Sequence, residues 1–248
     1  MISAESNMFR NAVLAAILIL FSGAAYSQAG SPAAEESPWS GSVSLGFLST
    51  SGNTNTTSYN TSFDILYTKN KWTHALDAAA IGADESDTVT AEAYKADWKS
   101  SYNFSENNYL FGLIAWRKDR FSGVTEQLSE SIGYGRRIID TPAHLLNAEI
   151  GAGYRNADLS DNTSESGAIG RLGLDYKWTF SETSNFEQTI AVEAGSDNTY
   201  IESVSAVRAK LLGDFAIVFS YTVRHNTDVP LGSEKTDKFT AISLELAF

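Results

Sequence analysis

Hydrolytic chemistry in this chain would have to come from serine and histidine, because the sequence has three histidines and no cysteine. A serine nucleophile needs an imidazole within hydrogen-bond reach and a third group that orients that imidazole. His225 lies near one end of a segment in which apolar and polar residues alternate. His144 lies beside a tight turn, and His74 lies near Trp72, at the opposite end of such a segment. No serine stands in a recognisable nucleophile motif. We therefore predict no catalytic residue and no enzyme, with a lipid-modifying hydrolase centred on His225 as the alternative.

Carboxylates in the polar segments are the remaining candidates for metal chemistry, since a chain without cysteine has no thiolate ligand. Their oxygens suit calcium or magnesium, but they lack the spacing of a dedicated loop site. These residues are Asp84, Glu85, Asp87, Asp158, Asp161, Glu165, Asp197, Asp228, Glu234 and Asp237. We predict no metal site and no cofactor: the carboxylates either are solvated or bridge divalent ions to anionic lipopolysaccharide. The net charge of −12, without basic clusters, argues against nucleic acid as a partner.

Apolar and polar residues alternate from Trp39 onward in segments separated by turn residues, each about ten residues long, as in transmembrane β-strands. The pattern holds about twelve segments, within the even-numbered series of outer-membrane barrels. The last segment carries the apolar row Ile242, Leu244, Leu246 and Phe248. A soluble β-sandwich would also alternate, so two further features are needed to separate the two folds.

Loop length and aromatic residues favour the barrel. Connections are tight at residues 69–70, 140–142 and 213–214, and longer at 82–89, 118–125, 156–165 and 226–237. Aromatic residues flank the tight turns, as expected at a membrane interface. They are Tyr67, Trp72, Tyr102, Phe104, Tyr109, Tyr176, Trp178, Phe180, Phe186, Phe215 and Phe248. We predict an all-β fold, a transmembrane antiparallel up-and-down β-barrel of about twelve strands, with the tight turns on the periplasmic side.

Two stretches depart from the pattern. Residues 109–116 are apolar on both faces, and Glu130 falls on the apolar side of its strand between Leu128 and Ile132. A β-bulge, a register slip or a position near the external rim would each explain Glu130.

The N-terminus has the organisation of a secretory signal peptide, with Arg10 before an apolar run at 12–21 and small residues after it. The run is shorter than the roughly 20 residues of a spanning helix. We predict a signal peptide at 1–29, a flexible lead-in at 30–38 and the barrel at 39–248, located in the outer membrane.

Several short motifs occur in order along the chain: Ser51-Gly52-Asn53-Thr54, Asp119-Arg120-Phe121, Gly133-Tyr134-Gly135-Arg136, Gly151-Ala152-Gly153-Tyr154-Arg155 and the approach from Pro230 to Thr236-Asp237. With these motifs the chain resembles the YdiY-like family, described as salt-induced outer membrane proteins and as a domain of unknown function. The resemblance implies an outer-membrane location, and it supplies no activity and no catalytic residues.

Charges of both signs are predicted to face the lumen, where they must be paired or hydrated. They are Asp64, Asp77, Lys95, Asp97, Lys99, Glu149, Arg155, Arg171, Asp175, Lys177, Glu187, Glu193, Glu202, Arg208, Lys210, Arg224 and Glu245. The sequence allows either a closed structural barrel or a narrow pore for small solutes or ions, and a structural or envelope-stress (salt-response) role is equally open. Expected partners are outer-membrane lipid, lipopolysaccharide and the outer-membrane assembly machinery, which would recognise the strand ending at Phe248.

Overall fold

The computed structural model describes residues 37–50, 56–85, 88–120 and 122–248. The predicted signal peptide at 1–29, most of the lead-in and the motif at 51–54 lie outside the described residues. No helix in the described part of the chain is long and apolar enough to cross a bilayer. The described residues form twelve strands: β1 (Trp39–Thr50), β2 (Thr56–Lys69), β3 (Trp72–Glu85), β4 (Thr88–Asn103), β5 (Asn108–Asp119), β6 (Val124–Asp140), β7 (His144–Leu159), β8 (Ser164–Ser181), β9 (Ser184–Gly195), β10 (Thr199–Lys210), β11 (Phe215–Asn226) and β12 (Thr236–Ala247).

These strands close into a single antiparallel barrel. Each strand pairs with its neighbours in sequence, and β12 pairs with β1. The closing seam pairs residues 42–45 with residues 244–247. At its end, Gly41 and Phe248 exchange two backbone hydrogen bonds of 2.9 Å each. The predicted up-and-down barrel of twelve strands is therefore confirmed.

The barrel is polar inside and apolar outside, as a lipid-facing wall requires. On β6, Gln127, Ser129 and Ser131 face the lumen and are buried, whereas Leu128 and Ile132 face outward and are exposed. Ile132, in the middle of this strand, is 75% exposed. Large apolar side chains project outward in the same way from other strands. The predicted transmembrane character thus follows from the side chains as well as from the closed topology.

The two ends of the barrel differ less in loop length than predicted. We call the rim that carries Trp39 and Ala247 the terminal end and the opposite rim the distal end. Strand β3 runs to Glu85 and β4 begins at Thr88, so most of the predicted loop at 82–89 is strand. The strands extend because backbone hydrogen bonds continue past the apolar band whatever the side chains are. Among the connections that the structure describes in full, the distal one at 227–235 is the longest.

An aromatic belt surrounds the terminal end, as predicted. Trp39 packs on Tyr67 with ring centroids 4.6 Å apart, and Trp72 packs on Tyr102 at 5.0 Å. His74 joins this belt by stacking on the Trp72 ring at 5.8 Å. At the other side of the belt, His144 stacks on Tyr176 and Trp178.

Tyr109 is the exception to the predicted belt. Its side chain faces the lumen and is only 6% exposed. The prediction placed it in the belt because it follows a turn, but strand alternation puts Leu110 outside and Tyr109 inside.

Glu130 lies on the outward face and is exposed. It pairs regularly with Ile114 on β5 and Tyr154 on β7. The register shifts of β6 occur elsewhere, between Val124 and Glu126 and between Arg137 and Ile139. Neither a bulge nor a slip at Glu130 therefore explains its place on the outer wall.

Candidate functional site

An ion pair crosses the full width of the lumen. Lys95 on β4 contacts Glu202 on β10 with Nζ and Oε1 3.0 Å apart. Five strands separate β4 from β10 in either direction around the ring, so the pair joins opposite walls. Lys95 also contacts Asp97 at 3.1 Å, and Glu202 contacts Arg224 on β11 at 2.8 Å.

Glu193 on β9 gathers a second set of partners at the same depth. Its carboxylate is completely buried. Arg171 contacts one oxygen at 3.1 Å, while Gln127 and Ser129 donate hydrogen bonds of 3.1 Å to the two oxygens. Arg117 completes the set, with its Nη1 3.8 Å from the carboxylate. A charge this deeply buried is tolerated only because donors surround it.

Tyr200 joins the two sets into one layer. Its ring lies beneath the Arg117 guanidinium at 4.4 Å, a cation–π distance, and its hydroxyl donates to Glu202 at 3.0 Å. We call the connected residues Lys95, Asp97, Arg117, Arg171, Glu193, Tyr200, Glu202 and Arg224 the central ion-pair layer. The predicted inward set contained all of its charged members except Arg117. Arg117 is missing from that set because residues 109–116 of β5 are apolar on both faces. Alternation there does not show which face points into the lumen.

A further group of ion pairs lines the wall between this layer and the terminal end. Arg208 contacts Glu245 through Nε at 2.7 Å and Glu187 through Nη1 at 3.0 Å. Lys177 contacts the same Glu187 oxygen at 2.9 Å. These four residues were predicted to face the lumen, and the structure shows them paired along its wall on β8, β9, β10 and β12.

On the opposite side, Tyr109 and Phe111 cover the inner wall. Tyr109 donates a hydrogen bond of 2.8 Å to Glu149, which also forms an ion pair with Lys99. The two rings lie over the glycines that pair with them, Gly135 and Gly133. A Cβ atom on Gly135 would lie 2.2 Å from the Tyr109 ring. The glycines of the 133–136 motif are therefore needed because aromatic rings occupy the space of their side chains.

Replacing Gly135 by alanine should displace the Tyr109 ring and weaken its bond to Glu149. We expect a loss of about 1–3 kcal/mol in unfolding free energy, as for overpacked sites. The matched control is Gly170→Ala, because a Cβ on outward-facing Gly170 meets nothing within 4 Å. Urea unfolding in detergent micelles measures both variants. Equal losses would contradict this account of the motif.

The distal mouth of the lumen is narrowed by the turn between β9 and β10. Arg155 donates through Nη2 to the backbone oxygen of Asn198 at 2.6 Å. The Asn198 amide in turn donates to Asn226 at 2.7 Å, and both asparagines are buried. This predicted lumen charge, Arg155, therefore fixes a turn at the rim.

Acidic residues of the distal connections are partly engaged in local structure. Asp161 accepts hydrogen bonds from the hydroxyl and the backbone N–H of Thr163, and these bonds lower the pKa of Asp161. Asp158 accepts a hydrogen bond of 2.6 Å from Ser164. Within the described ranges, no group of three or more histidine or acidic side chains is arranged to hold a metal ion.

His225, the centre of the hydrolase alternative, faces outward near the distal end of β11. Its Nδ1 lies 2.8 Å from the hydroxyl of Thr236. The imidazole of His144 contacts the Tyr176 hydroxyl at 2.9 Å. Neither partner is a serine, so the described contacts do not assemble the Ser–His pair that this chemistry requires.

Open space remains at the terminal end of the lumen, in a cavity of about 190 Å³. Its charged lining residues are Lys99 and Arg137. Arg137 is not in the predicted inward set, because it follows Arg136 directly and only strand alternation next to a register shift turns it inward. The charged side chains in the middle of the lumen thus form ion pairs, and a polar cavity lies at its terminal end. This arrangement can admit small polar solutes and ions.

Comparisons with known proteins agree with this architecture. The family model "Protein of unknown function, DUF481" matches residues 43–248. The uncharacterized protein YdiY of Escherichia coli (strain K12) is 30% identical over 214 residues, 86% of this chain and 84% of that protein. An outer membrane channel from Pseudomonas putida F1 superimposes with a TM-score of 0.53 at 9% identity, covering 90% of this chain and 100% of the channel.

The family model and the identity to YdiY confirm the predicted family resemblance, while the likeness to the channel concerns the fold alone. The chain therefore belongs to the DUF481 family and has the fold of outer-membrane β-barrels.

Proposed function

We propose that the protein is a channel of low conductance in the outer membrane, through which ions and small polar solutes pass a lumen narrowed by the central ion-pair layer. The contact between Lys95 and Glu202 across the barrel is the observation that carries this proposal. A side chain that reaches the opposite wall divides the cross-section into smaller gaps. Large solutes are therefore excluded.

The charges of the layer support passage of ions over a purely structural role. Buried ion pairs add little stability compared with apolar filling of the same volume. A barrel with only a structural role would gain more from an apolar interior. Because positive and negative groups alternate within the layer, we expect weak selectivity between cations and anions, in contrast to pores lined by rings of one charge.

A place in the outer membrane is part of the same proposal. The outward apolar side chains, the aromatic belt and the fold shared with an outer membrane channel support it. We place the terminal end on the periplasmic side, with export by the predicted signal peptide and insertion by the assembly machinery. Lipid and lipopolysaccharide would surround the wall. A salt-response role stays a prediction of the family resemblance.

The hydrolase alternative gains no support, since the relatives are a family of unknown function and the structural neighbour is a channel. Its candidate residue, His225, contacts Thr236 on the outer wall.

Conductance in planar bilayers tests the channel. We expect small but measurable current for the wild-type barrel and a several-fold increase for Lys95→Ala, which opens the middle while Glu202 keeps its contact with Arg224. Lys118→Ala is the matched control, because Lys118 lies on the exposed face of the barrel and contacts Glu126. Its conductance should equal that of the wild type.

Two outcomes would overturn the proposal. An absence of current in both the wild type and Lys95→Ala, at every salt concentration, would leave a closed structural barrel. A wild-type conductance as large as that of Lys95→Ala would mean that the layer does not restrict passage.

A further inference from the structure

The cavity at the terminal end is lined by positive and neutral groups. Its lining includes Lys99, Asn103, Tyr109, Arg137 and Asn147. Two of these side chains are cationic, and no acidic side chain belongs to the lining. The cavity thus has the polarity that an anion requires.

Arg137 supplies positive charge that its own contacts do not neutralise. Its guanidinium donates to the backbone oxygen of Glu106 and, at 2.9 Å, to the side-chain oxygen of Asn103. Both acceptors are uncharged. A guanidinium has five N–H donors, so donors remain after these two bonds. The planar donor fork is the group that binds oxyanions most specifically.

Tyr109, Lys99 and Asn147 line the cavity beside Arg137. The Tyr109 ring lies between the two cations, with its centroid 5.8 Å from Lys99 Nζ and 6.0 Å from Arg137 Cζ. Glu149 forms an ion pair with Lys99, whereas the hydrogen bonds of Arg137 go to uncharged acceptors. The side-chain oxygen of Asn147 makes no hydrogen bond within the described residues. The side-chain amide of Asn147 can therefore rotate and direct its NH₂ group toward a ligand, because its oxygen has no hydrogen bond to lose.

We propose that this cavity is a binding site for a small oxyanion, of the size of phosphate or a short carboxylate, held by Arg137 with Asn147 and Asn103 beside it. The cavity volume of about 190 Å³ lies below the roughly 300–1,000 Å³ of sites for drug-sized ligands, which favours a small ligand. Asp175 pairs with Asn147 in the adjacent strand register and limits the affinity, which we expect in the millimolar range.

Nitrogen NMR of the barrel in detergent micelles, with ¹⁵N-labelled arginine, tests the site directly. Phosphate is titrated against chloride at constant ionic strength, and acetate is titrated separately. We expect the Arg137 Nε–H signal to shift saturably with phosphate and acetate and not with chloride. The signal is assigned by its loss in Arg137→Gln, and in Arg137→Lys if the first variant fails to fold.

Arg136→Gln is the matched control, because Arg136 is the preceding residue of β6 and faces outward. We expect the ³¹P resonance of phosphate to broaden in the presence of the wild type and of Arg136→Gln, but not in the presence of Arg137→Gln. A shift that does not saturate, or an equal shift of all arginine signals, would show an adventitious ion only and overturn the site. The measurement needs no current through the barrel, so its result is independent of the proposed channel.

Discussion

Glu193→Ala should lower the free energy of unfolding by about 3–5 kcal/mol, the cost of removing one partner from a buried ion pair. The substitution leaves Arg171 and Arg117 facing each other without the carboxylate that holds them. It also removes the acceptor of the hydrogen bonds from Gln127 and Ser129. Urea unfolding in lipid vesicles, followed by tryptophan fluorescence, measures the change.

Two variants bracket this effect. Glu193→Gln keeps an oxygen that accepts hydrogen bonds and loses only the charge, so its loss should be intermediate. Glu182→Ala changes an exposed acidic residue in the connection between β8 and β9, and surface changes of this kind fall within about 0.5 kcal/mol. If Glu193→Ala and Glu182→Ala unfolded at the same urea concentration, the layer would have no role in holding the barrel together.

The second large effect concerns the outer wall. Ile132→Arg should cost about 2–4 kcal/mol in lipid vesicles, because arginine on the lipid face near the bilayer midplane carries that penalty. Ile132 lies at the middle of β6 and points away from the lumen. The measurement is the urea midpoint for unfolding of the inserted barrel.

Leu231→Arg provides the matched control for this prediction. Leu231 is also an exposed apolar residue, but it lies in the distal connection at 227–235, outside the strands. We expect its unfolding midpoint to stay at the wild-type value. In a soluble barrel both changes would be tolerated equally, so identical midpoints would refute the transmembrane placement of the wall.

The lumen-facing charges could be predicted from alternation, but their partners could not. Lys95 and Glu202 both stand on the polar side of their strands, and that side is visible in the sequence. Which strand lies opposite β4 depends on the number of strands and on their stagger around the closed ring. These are properties of the whole barrel, so no local pattern contains the Lys95–Glu202 contact.

Strand β5 shows a different limit. Where both faces are apolar, alternation in the sequence does not distinguish inside from outside, so the sequence does not predict that Tyr109 and Arg117 face the lumen. The glycine motif at 133–136 was visible, but its purpose depends on the register across the 120–123 connection. Only that register brings Tyr109 over Gly135 and Phe111 over Gly133.

The seam between Gly41 and Phe248 imposes an order in time. These residues come from nearly opposite ends of the chain, so β1 is synthesised long before the strand that completes it exists. At roughly 5–20 residues per second, β1 waits for at least about ten seconds. The edge of β1 that pairs with β12 has no partner in the barrel until residues 244–247 exist, and an unpaired strand edge can pair with another chain. The barrel can therefore close only after β12 has been synthesised.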